Sequence, residues 1–187
     1  MTRIVAGQFG GRWIATPAGA HTRPTSERVR EALFSTLEST IDLTGARFAD
    51  LYAGSGAVGL EAVSRGARHA LLVESDPRAA RVIRENIRAL GAASSARLVT
   101  GKVAQVLAAG PDSEPYDVVF ADPPYAVPDE EITAMLAALV GRGWLAPDAV
   151  VVVERAARGA PVKWVEGLTG QRCRRYGETA LWYGRRP

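Results

Sequence analysis

From residue 47 onward, short apolar runs alternate with stripes of apolar residues at helical spacing. Runs bounded by polar residues predict buried strands, and the stripes predict helices. Their alternation indicates an α/β fold, a Rossmann-like doubly wound sheet. The predicted strands are Phe48–Ala53, His69–Val73, Arg97–Thr100, Val118–Ala121 and Ala149–Val153, with Val162–Val165 and Arg174–Tyr183 as a closing antiparallel pair that brings the sheet to seven strands.

The helices are predicted from apolar stripes and from end signals. Asp76 is a good N-cap, Pro77 suits the first helical position, and Gly91 is a typical stop. Thr25 or Ser26 is expected to cap an earlier helix. The predicted helices run from that cap to Glu38, from the glycine loop through Arg65, from Pro77 to Leu90, from Val103 to Ala109 and from Asp129 to Val140.

The N-terminal segment has a different pattern from the rest of the chain. Two short β-type runs, Arg3–Ala6 and Arg12–Thr16, flank a glycine-containing turn and predict a hairpin. Phe9, Trp13 and the arginines could bind RNA by stacking and phosphate contact, or could pack the hairpin onto the body. We therefore divide the chain into an N-terminal β-hairpin extension, residues 1–24, and a single domain, residues 25–187.

Composition narrows the class of protein. The 187 residues are 47% hydrophobic, with no apolar run long enough to span a bilayer and no signal-peptide pattern. One cysteine and two histidines, none in a ligand-spaced group, predict no disulfide and no metal site. We expect a cytoplasmic protein, a monomer that does not bind membranes.

Charge is distributed unevenly along the chain. Residues 1–30 carry +4 and residues 155–187 carry +6, whereas the residues between them carry −7. Basic ends on an acidic body are typical of a protein that binds a polyanion, although scattered surface arginines would give the same count.

The most informative stretch is Asp122-Pro123-Pro124-Tyr125, directly after a predicted buried strand. The two prolines cannot donate to a ladder, so the strand ends there and presents a carboxylate, a carbonyl and a ring at the carboxyl edge of the sheet. The carboxylate and the carbonyl can accept N–H bonds from an amine on a nucleobase and make its nitrogen nucleophilic, while the Tyr125 ring stacks on the base.

Gly54-Ser55-Gly56-Ala57-Val58-Gly59 follows the first strand of this domain, and Glu74 lies 20 positions beyond Gly54. This pattern fits a nicotinamide enzyme or an S-adenosylmethionine (AdoMet) enzyme. Asp50, ahead of the loop, can reach a positively charged amino-acid group. A pyrophosphate is negatively charged and would gain nothing from a carboxylate at this position. With no evident hydride-transfer acid in the sequence, these residues favour AdoMet.

Taken together, the chain resembles the RsmD family of 16S ribosomal RNA guanine-N2 methyltransferases, class I AdoMet-dependent enzymes. The residues that carry this resemblance, which extends over nearly the whole chain, are Arg23-Pro24-Thr25-Ser26-Glu27-Arg28-Val29-Arg30-Glu31-Ala32-Leu33-Phe34, Asp50-Leu51-Tyr52-Ala53-Gly54-Ser55-Gly56 and Asp122-Pro123-Pro124-Tyr125. The resemblance implies methylation of one loop guanine of 16S rRNA in the 30S subunit, on assembled or partly assembled particles.

The resemblance also implies roles for individual residues. The AdoMet site would comprise Asp50, Gly54, Ser55, Gly56, Glu74, Ser75 and Val103; the guanine site Asp122, Pro123 and Tyr125; and the RNA contacts Arg3, Arg12, Trp13, Arg23, Thr25 and Arg28. One departure concerns adenine. Lys102 stands where such enzymes often place Asp or Asn, so the adenine is expected to be bound by the backbone of Val103 or by groups elsewhere.

Three alternatives stay open. A DNA amino-methyltransferase would use the same pocket, although the chain has no evident target-recognition domain. A protein-glutamine methyltransferase usually has Asn at the position of Asp122. A catalytically silent RNA-binding assembly factor would not need Asp50, Gly54, Glu74 and Asp122 intact.

Overall fold

A computed structural model describes residues 1–18 and 26–187. The sequence signals place most elements correctly. The helices are α1 (Glu27–Thr40), α2 (Ala57–Ser64), α3 (Pro77–Leu90), α4 (Val103–Ala109) and α5 (Asp129–Gly141). The strands are β1 (Thr2–Arg3), β2 (Trp13–Ile14), β3 (Arg47–Leu51), β4 (His69–Glu74), β5 (Ala96–Thr100), β6 (Tyr116–Ala121), β7 (Leu145–Ala156), β8 (Thr169–Tyr176) and β9 (Thr179–Arg185).

The described residues form a seven-stranded sheet in the order β5-β4-β3-β6-β7-β9-β8 and the separate two-stranded hairpin β1-β2. The five strands from β5 to β7 are parallel, and β9 and β8 add antiparallel pairs. Helices α1, α2 and α3 cover one face of the sheet, and α4 and α5 cover the other. The predicted doubly wound, Rossmann-like seven-stranded sheet with an N-terminal hairpin is confirmed.

The closing antiparallel pair was predicted at the wrong residues. Val162–Val165 is not a strand; within this segment Trp164 packs against Gly170 and Gly184, whose missing side chains leave space for the indole. The predicted strand Arg174–Tyr183 is two strands. The chain reverses at Gly177, with φ of 60°, so that β8 and β9 form a hairpin with each other.

Helix α1 begins as predicted at a serine cap, because Ser26 Oγ accepts the Val29 N–H at 3.2 Å. Helix α3 has the Asp76 cap, the initial Pro77 and the Gly91 stop. No helix of residues 1–18 and 26–187 combines the length and apolar character that a membrane crossing requires.

The N-terminal hairpin is anchored to α2 by a buried carboxylate. Glu61 is fully buried, and each of its oxygens accepts one backbone N–H and one guanidinium N–H. Oε1 bonds Val5 at 2.9 Å and Arg30 at 3.3 Å; Oε2 bonds Ala6 at 3.0 Å and Arg65 at 2.9 Å. The hairpin strands are shorter than predicted because Val5 and Ala6 donate to Glu61 and not to a partner strand.

A second anchor lies one turn further along α2. Ser64 Oγ donates to the Ala6 carbonyl at 2.6 Å and accepts the Phe9 N–H at 2.8 Å, and Gln8 donates to the Ser64 carbonyl. Gly7, with φ of 81°, lies so close that a Cβ there would be 1.9 Å from the Ser64 carbonyl oxygen. Phe9 is buried, so of the two roles considered above, RNA binding or packing of the hairpin onto the body, it has the packing role. Trp13 is 58% exposed.

We expect Glu61→Gln to destabilise the protein by about 3–5 kcal/mol, because it leaves the buried Arg30 guanidinium without a counter-charge. Urea unfolding followed by circular dichroism measures this change. Glu38→Gln is the matched control, since Glu38 pairs with Arg65 from a half-exposed position and should cost less than about 1 kcal/mol. Equal losses in the two variants would contradict the anchoring role of Glu61.

Candidate active site

The carboxyl ends of β3, β4 and β6 meet at one edge of the sheet, because these three strands are parallel neighbours. Asp50 pairs with Leu72 on one side and with Phe120 on the other. The Asp122 N–H donates to the Leu51 carbonyl at 3.3 Å, which sets the Asp-Pro-Pro-Tyr loop beside the glycine loop. The predicted cofactor and guanine residues thus lie at a common edge.

The glycine loop is tied to the end of β4 by Glu74. Its Oε1 accepts the Gly54 N–H at 2.8 Å and its Oε2 accepts the Asp76 N–H at 2.9 Å. A Cβ at Gly54 would meet no atom within 4 Å, so the loop is open on that side. A carboxylate held at the rim of an open glycine loop fits the ribose hydroxyls of an adenosyl group.

Asp50 lies beneath this loop. It is 2% exposed, and its Oδ2 accepts the Gly59 N–H at 2.9 Å. Burial raises the pKa of Asp50 well above its ordinary value, and the Gly59 hydrogen bond opposes the rise. Gly59 allows α2 to pack tightly on the sheet, because a Cβ there would be 2.6 Å from Leu72 Cδ2.

The remaining predicted cofactor residues surround the loop. Ser55 is buried and its Oγ accepts the Ala57 N–H, whereas Ser75 is exposed beyond β4. Val103, at the start of α4, has a buried side chain. It lies near Glu74, because the Gly101 N–H donates to the Glu74 carbonyl at 3.0 Å.

The Asp-Pro-Pro-Tyr loop and the residues just after it are held by a residue that the sequence did not identify. Arg155, at the end of β7, donates to the carbonyls of Val127 at 2.8 Å and Pro124 at 3.4 Å. Pro123 is buried, and the Tyr125 ring is 49% exposed with its hydroxyl 3.5 Å from Thr179 Oγ1. No local motif identifies Arg155, since the loop it holds lies some 30 residues earlier in the chain.

Asn86 is a second residue near the site that the sequence patterns did not identify. It is a buried α3 residue whose side chain joins the N-terminal extension to the glycine loop. Its Oδ1 accepts the Ala15 N–H at 2.8 Å, and its Nδ2 donates to the carbonyls of Ala15 and Ser55, each at 2.9 Å. The only sequence signal was a polar residue within the apolar stripe of α3.

The predicted RNA contacts are spread over the extension and α1. Arg3 lies over the Trp13 ring, with its guanidinium carbon 5.7 Å from the ring centroid, and pairs with Glu27. Arg12 donates to the Ala89 carbonyl at 2.6 Å, so it also holds the extension on α3. Arg28 is exposed. Arg23 and Thr25 lie outside the described residues.

Comparison with known proteins identifies the family of this chain. The family model described as Conserved hypothetical protein 95 matches residues 2–185. The chain belongs to this family. It is the RsmD family that the sequence motifs indicated, and the prediction of an AdoMet-dependent methyltransferase is confirmed at the level of family and fold.

Individual members of the RsmD family cover most of the chain. Ribosomal RNA small subunit methyltransferase D of Escherichia coli K12 is 38% identical over 166 residues, 87% of this chain and 80% of that protein. The protein of the same name from Haemophilus influenzae Rd is 34% identical over 153 residues, 81% of this chain and 77% of that protein. The solved structure of yhhF from Escherichia coli superposes with a TM-score of 0.83 at 34% identity, covering 98% of this chain and 97% of that one.

We expect Asp50→Asn to flatten the dependence of stability on pH. Because burial raises the pKa of Asp50, the folded state binds its proton more tightly than the unfolded state, and stability falls as pH rises above about 4. The fall in melting temperature from pH 5 to pH 8 should be smaller in the variant, and AdoMet should bind about tenfold more weakly. Thermal unfolding and calorimetric titration measure the two effects.

Asp117→Asn is the control for this change, because Asp117 also accepts a single backbone N–H, from Arg47, at the opposite end of the parallel strands. It should leave AdoMet affinity unchanged. If Asp50→Asn keeps the full pH dependence of the native chain, the raised pKa of Asp50 is not the cause of that dependence.

We expect Asn86→Ala to weaken AdoMet binding about five- to tenfold, because the Ser55 carbonyl loses its buried donor and the glycine loop loosens. Ser64→Ala is the matched control: it also removes two hydrogen bonds to the extension but does not contact the glycine loop. Both variants should lower the melting temperature, and calorimetric titration with AdoMet should separate them. Equal AdoMet affinities in the two variants would exclude this role for Asn86.

Proposed function

We propose that this protein transfers a methyl group from AdoMet to the exocyclic N2 of one guanine in 16S ribosomal RNA. The observation that carries the proposal is the meeting of the Asp122 loop and the glycine loop at one sheet edge, where a backbone hydrogen bond joins Asp122 to the end of β3. The Escherichia coli and Haemophilus influenzae relatives are named ribosomal RNA small subunit methyltransferases, which supports a small-subunit rRNA substrate.

AdoMet, when bound, supplies an electrophilic methyl group. Gly54 and Gly56 would line its amino-acid end, with Asp50 beneath them, Glu74 would accept its ribose hydroxyls, and the backbone of Val103 would bind the adenine. The exposed Ser75 would lie beside the adenine. These groups fit the cofactor because the loop is open at Gly54 and its carboxylate partner is already oriented by two backbone N–H groups.

The chain's own contribution to the chemistry is orientation of the amine. Asp122 and the Pro123 carbonyl each accept a hydrogen bond from the guanine, which directs the N2 lone pair along the line of attack. A carboxylate suits guanine because N1–H and N2–H₂ are adjacent donors, whereas adenine has an acceptor at N1. The exposed Tyr125 ring stacks on the base, which must be unpaired or flipped out to enter.

The extension is proposed to bind the RNA around the target. Trp13 is exposed and has the Arg3 guanidinium over its ring, so it offers a stacking surface next to a positive charge. Arg28 is exposed on the first turn of α1. Because Asn86 joins the extension to the glycine loop, the RNA-binding surface and the cofactor site share a rigid support. A cytoplasmic location and a monomeric state stay predictions.

We expect Asp122→Ala to reduce methyl transfer about 100- to 1,000-fold, as the loss of a positioned acceptor at the reacting group does in other enzymes. Tritium transfer from labelled AdoMet to undermethylated 30S particles measures the rate. Nucleoside mass spectrometry of the product should find N2-methylguanosine. AdoMet affinity should be unchanged, which separates a chemical defect from a damaged cofactor site.

Tyr125→Phe is the control, since it keeps the ring and should retain most of the transfer. Undiminished transfer by Asp122→Ala would end the proposal. Methylation of DNA in place of rRNA would favour the DNA amino-methyltransferase. AdoMet binding without transfer to RNA, DNA or protein would favour the silent assembly factor.

A further inference from the structure

Strand β8 is a free edge of the sheet and carries three arginines. Among the described strands it pairs only with β9, so its outer backbone groups face solvent. Arg172, Arg174 and Arg175 are all exposed, and none of them has an ion-pair partner within residues 1–18 and 26–187. We call these three residues the β8 arginines.

The β8 arginines point to both faces of the edge. Arg172 lies opposite Tyr183 and Arg174 opposite Leu181, on the face that α1 covers, whereas Arg175 lies opposite Ala180 on the other face. Burial raises the pKa of Tyr183 to about 12, and the positive charges of Arg172 and Arg174 on the same face oppose this rise.

The acidic residues of α1, the helix on this face of the sheet, form ion pairs with residues other than the β8 arginines. The three acids of α1 all form ion pairs: Glu27 pairs with Arg3, and Glu31 and Glu38 both pair with Arg65, the C-cap residue of α2. The positive charge of β8 is therefore not neutralised by α1. It belongs to the segment 155–187, which carries +6, and lies at the opposite end of the sheet from β5.

One end of strand β8 lies close to the Asp-Pro-Pro-Tyr loop. β8 ends at Tyr176, and after a turn of two residues β9 begins at Thr179, whose hydroxyl is 3.5 Å from the Tyr125 hydroxyl. Arg174 is two residues from the end of β8 and Arg172 four, which corresponds to roughly 7 Å and 14 Å along the strand. Positive charges thus extend away from Tyr125 along one side of the protein.

We propose that the β8 edge is a second RNA-binding surface, which holds the phosphate backbone on the side of the target nucleotide away from the N-terminal extension. This inference rests on the proposed function. Guanidinium groups bind phosphate through paired hydrogen bonds, and the outward N–H groups of an edge strand are further phosphate donors. With the extension on the other side, the target base is held between two contacts and enters the site at Tyr125.

The competing explanation is protection of the edge. Charged side chains on an edge strand prevent pairing with a second chain. That explanation predicts self-association when the arginines are removed and no change in the affinity of the monomer for RNA. The two explanations can therefore be separated by measuring RNA binding and oligomeric state on the same variants.

The test uses the full chain and a fluorescein-labelled stem-loop RNA transcribed from 16S rRNA, with binding followed by fluorescence anisotropy across a range of salt concentrations. Arg172→Gln/Arg174→Gln/Arg175→Gln should reduce the slope of log Kd against log salt by about 2, since each phosphate contact contributes about 0.7 for single-stranded RNA. Affinity at 100 mM salt should fall at least about tenfold. AdoMet affinity should not change.

Arg84→Gln/Arg88→Gln/Arg142→Gln is the matched control, because it removes the same charge from exposed arginines on α3 and at the end of α5, away from β8. Equal loss of RNA affinity in the two triple variants would overturn the proposal, as would an unchanged salt slope. Dimers in sedimentation of the β8 variant with unaltered RNA affinity would establish edge protection in its place. Loss of RNA affinity in the β8 variant alone would support the proposal even if the native chain failed to methylate rRNA.

Discussion

Helix α2 is buried along its entire length, and this constraint shapes both the cofactor site and the N-terminal extension. Gly59 lets the helix approach the sheet until its N–H bonds the Asp50 carboxylate. That contact fixes the start of the helix, and with it the glycine loop. The polar residues of the helix, Glu61 and Ser64, then need partners away from water, because a buried carboxylate without them is strongly destabilising.

The extension supplies those partners. Its backbone amides at Val5 and Ala6 donate to Glu61, whose two other donors are the guanidinium groups of Arg30 and Arg65 in the domain itself. The extension is therefore part of the structural core as well as a proposed RNA contact. Asn86 completes the connection, since one side chain bonds both Ala15 and Ser55. The proposed RNA-binding surface and the proposed AdoMet loop are thus joined through buried hydrogen bonds.

The Asp-Pro-Pro-Tyr loop, which is proposed to bind the target base, is supported in a different way. Two prolines stiffen it, and Arg155 bonds its carbonyls from the end of β7. The proposed active edge thus combines a glycine loop that is open at Gly54 with a proline loop that Arg155 restrains through hydrogen bonds. A preorganised acceptor needs such support, because catalysis by orientation depends on positions held to a fraction of an ångström.

The sequence by itself determined the sheet, most helix ends, the glycine loop and the Asp-Pro-Pro-Tyr loop. Those features are local: strand runs, caps such as Ser26 and Asp76, and stops such as Gly91 act within a few residues. The sequence-based prediction was wrong at the closing hairpin. The run Arg174–Tyr183 has a β-type pattern on both sides of the turn, so the turn at Gly177 was read as part of one strand.

Only the tertiary structure decided which polar residues serve the site from a distance. Glu61, Asn86 and Arg155 bond partners about 30 to 70 residues away along the chain. Their side chains carry no local pattern, because a buried hydrogen bond depends on which elements the fold brings together. The sequence specified the proposed reacting groups, and the packing of α2, α3 and β7 specified what holds them in place.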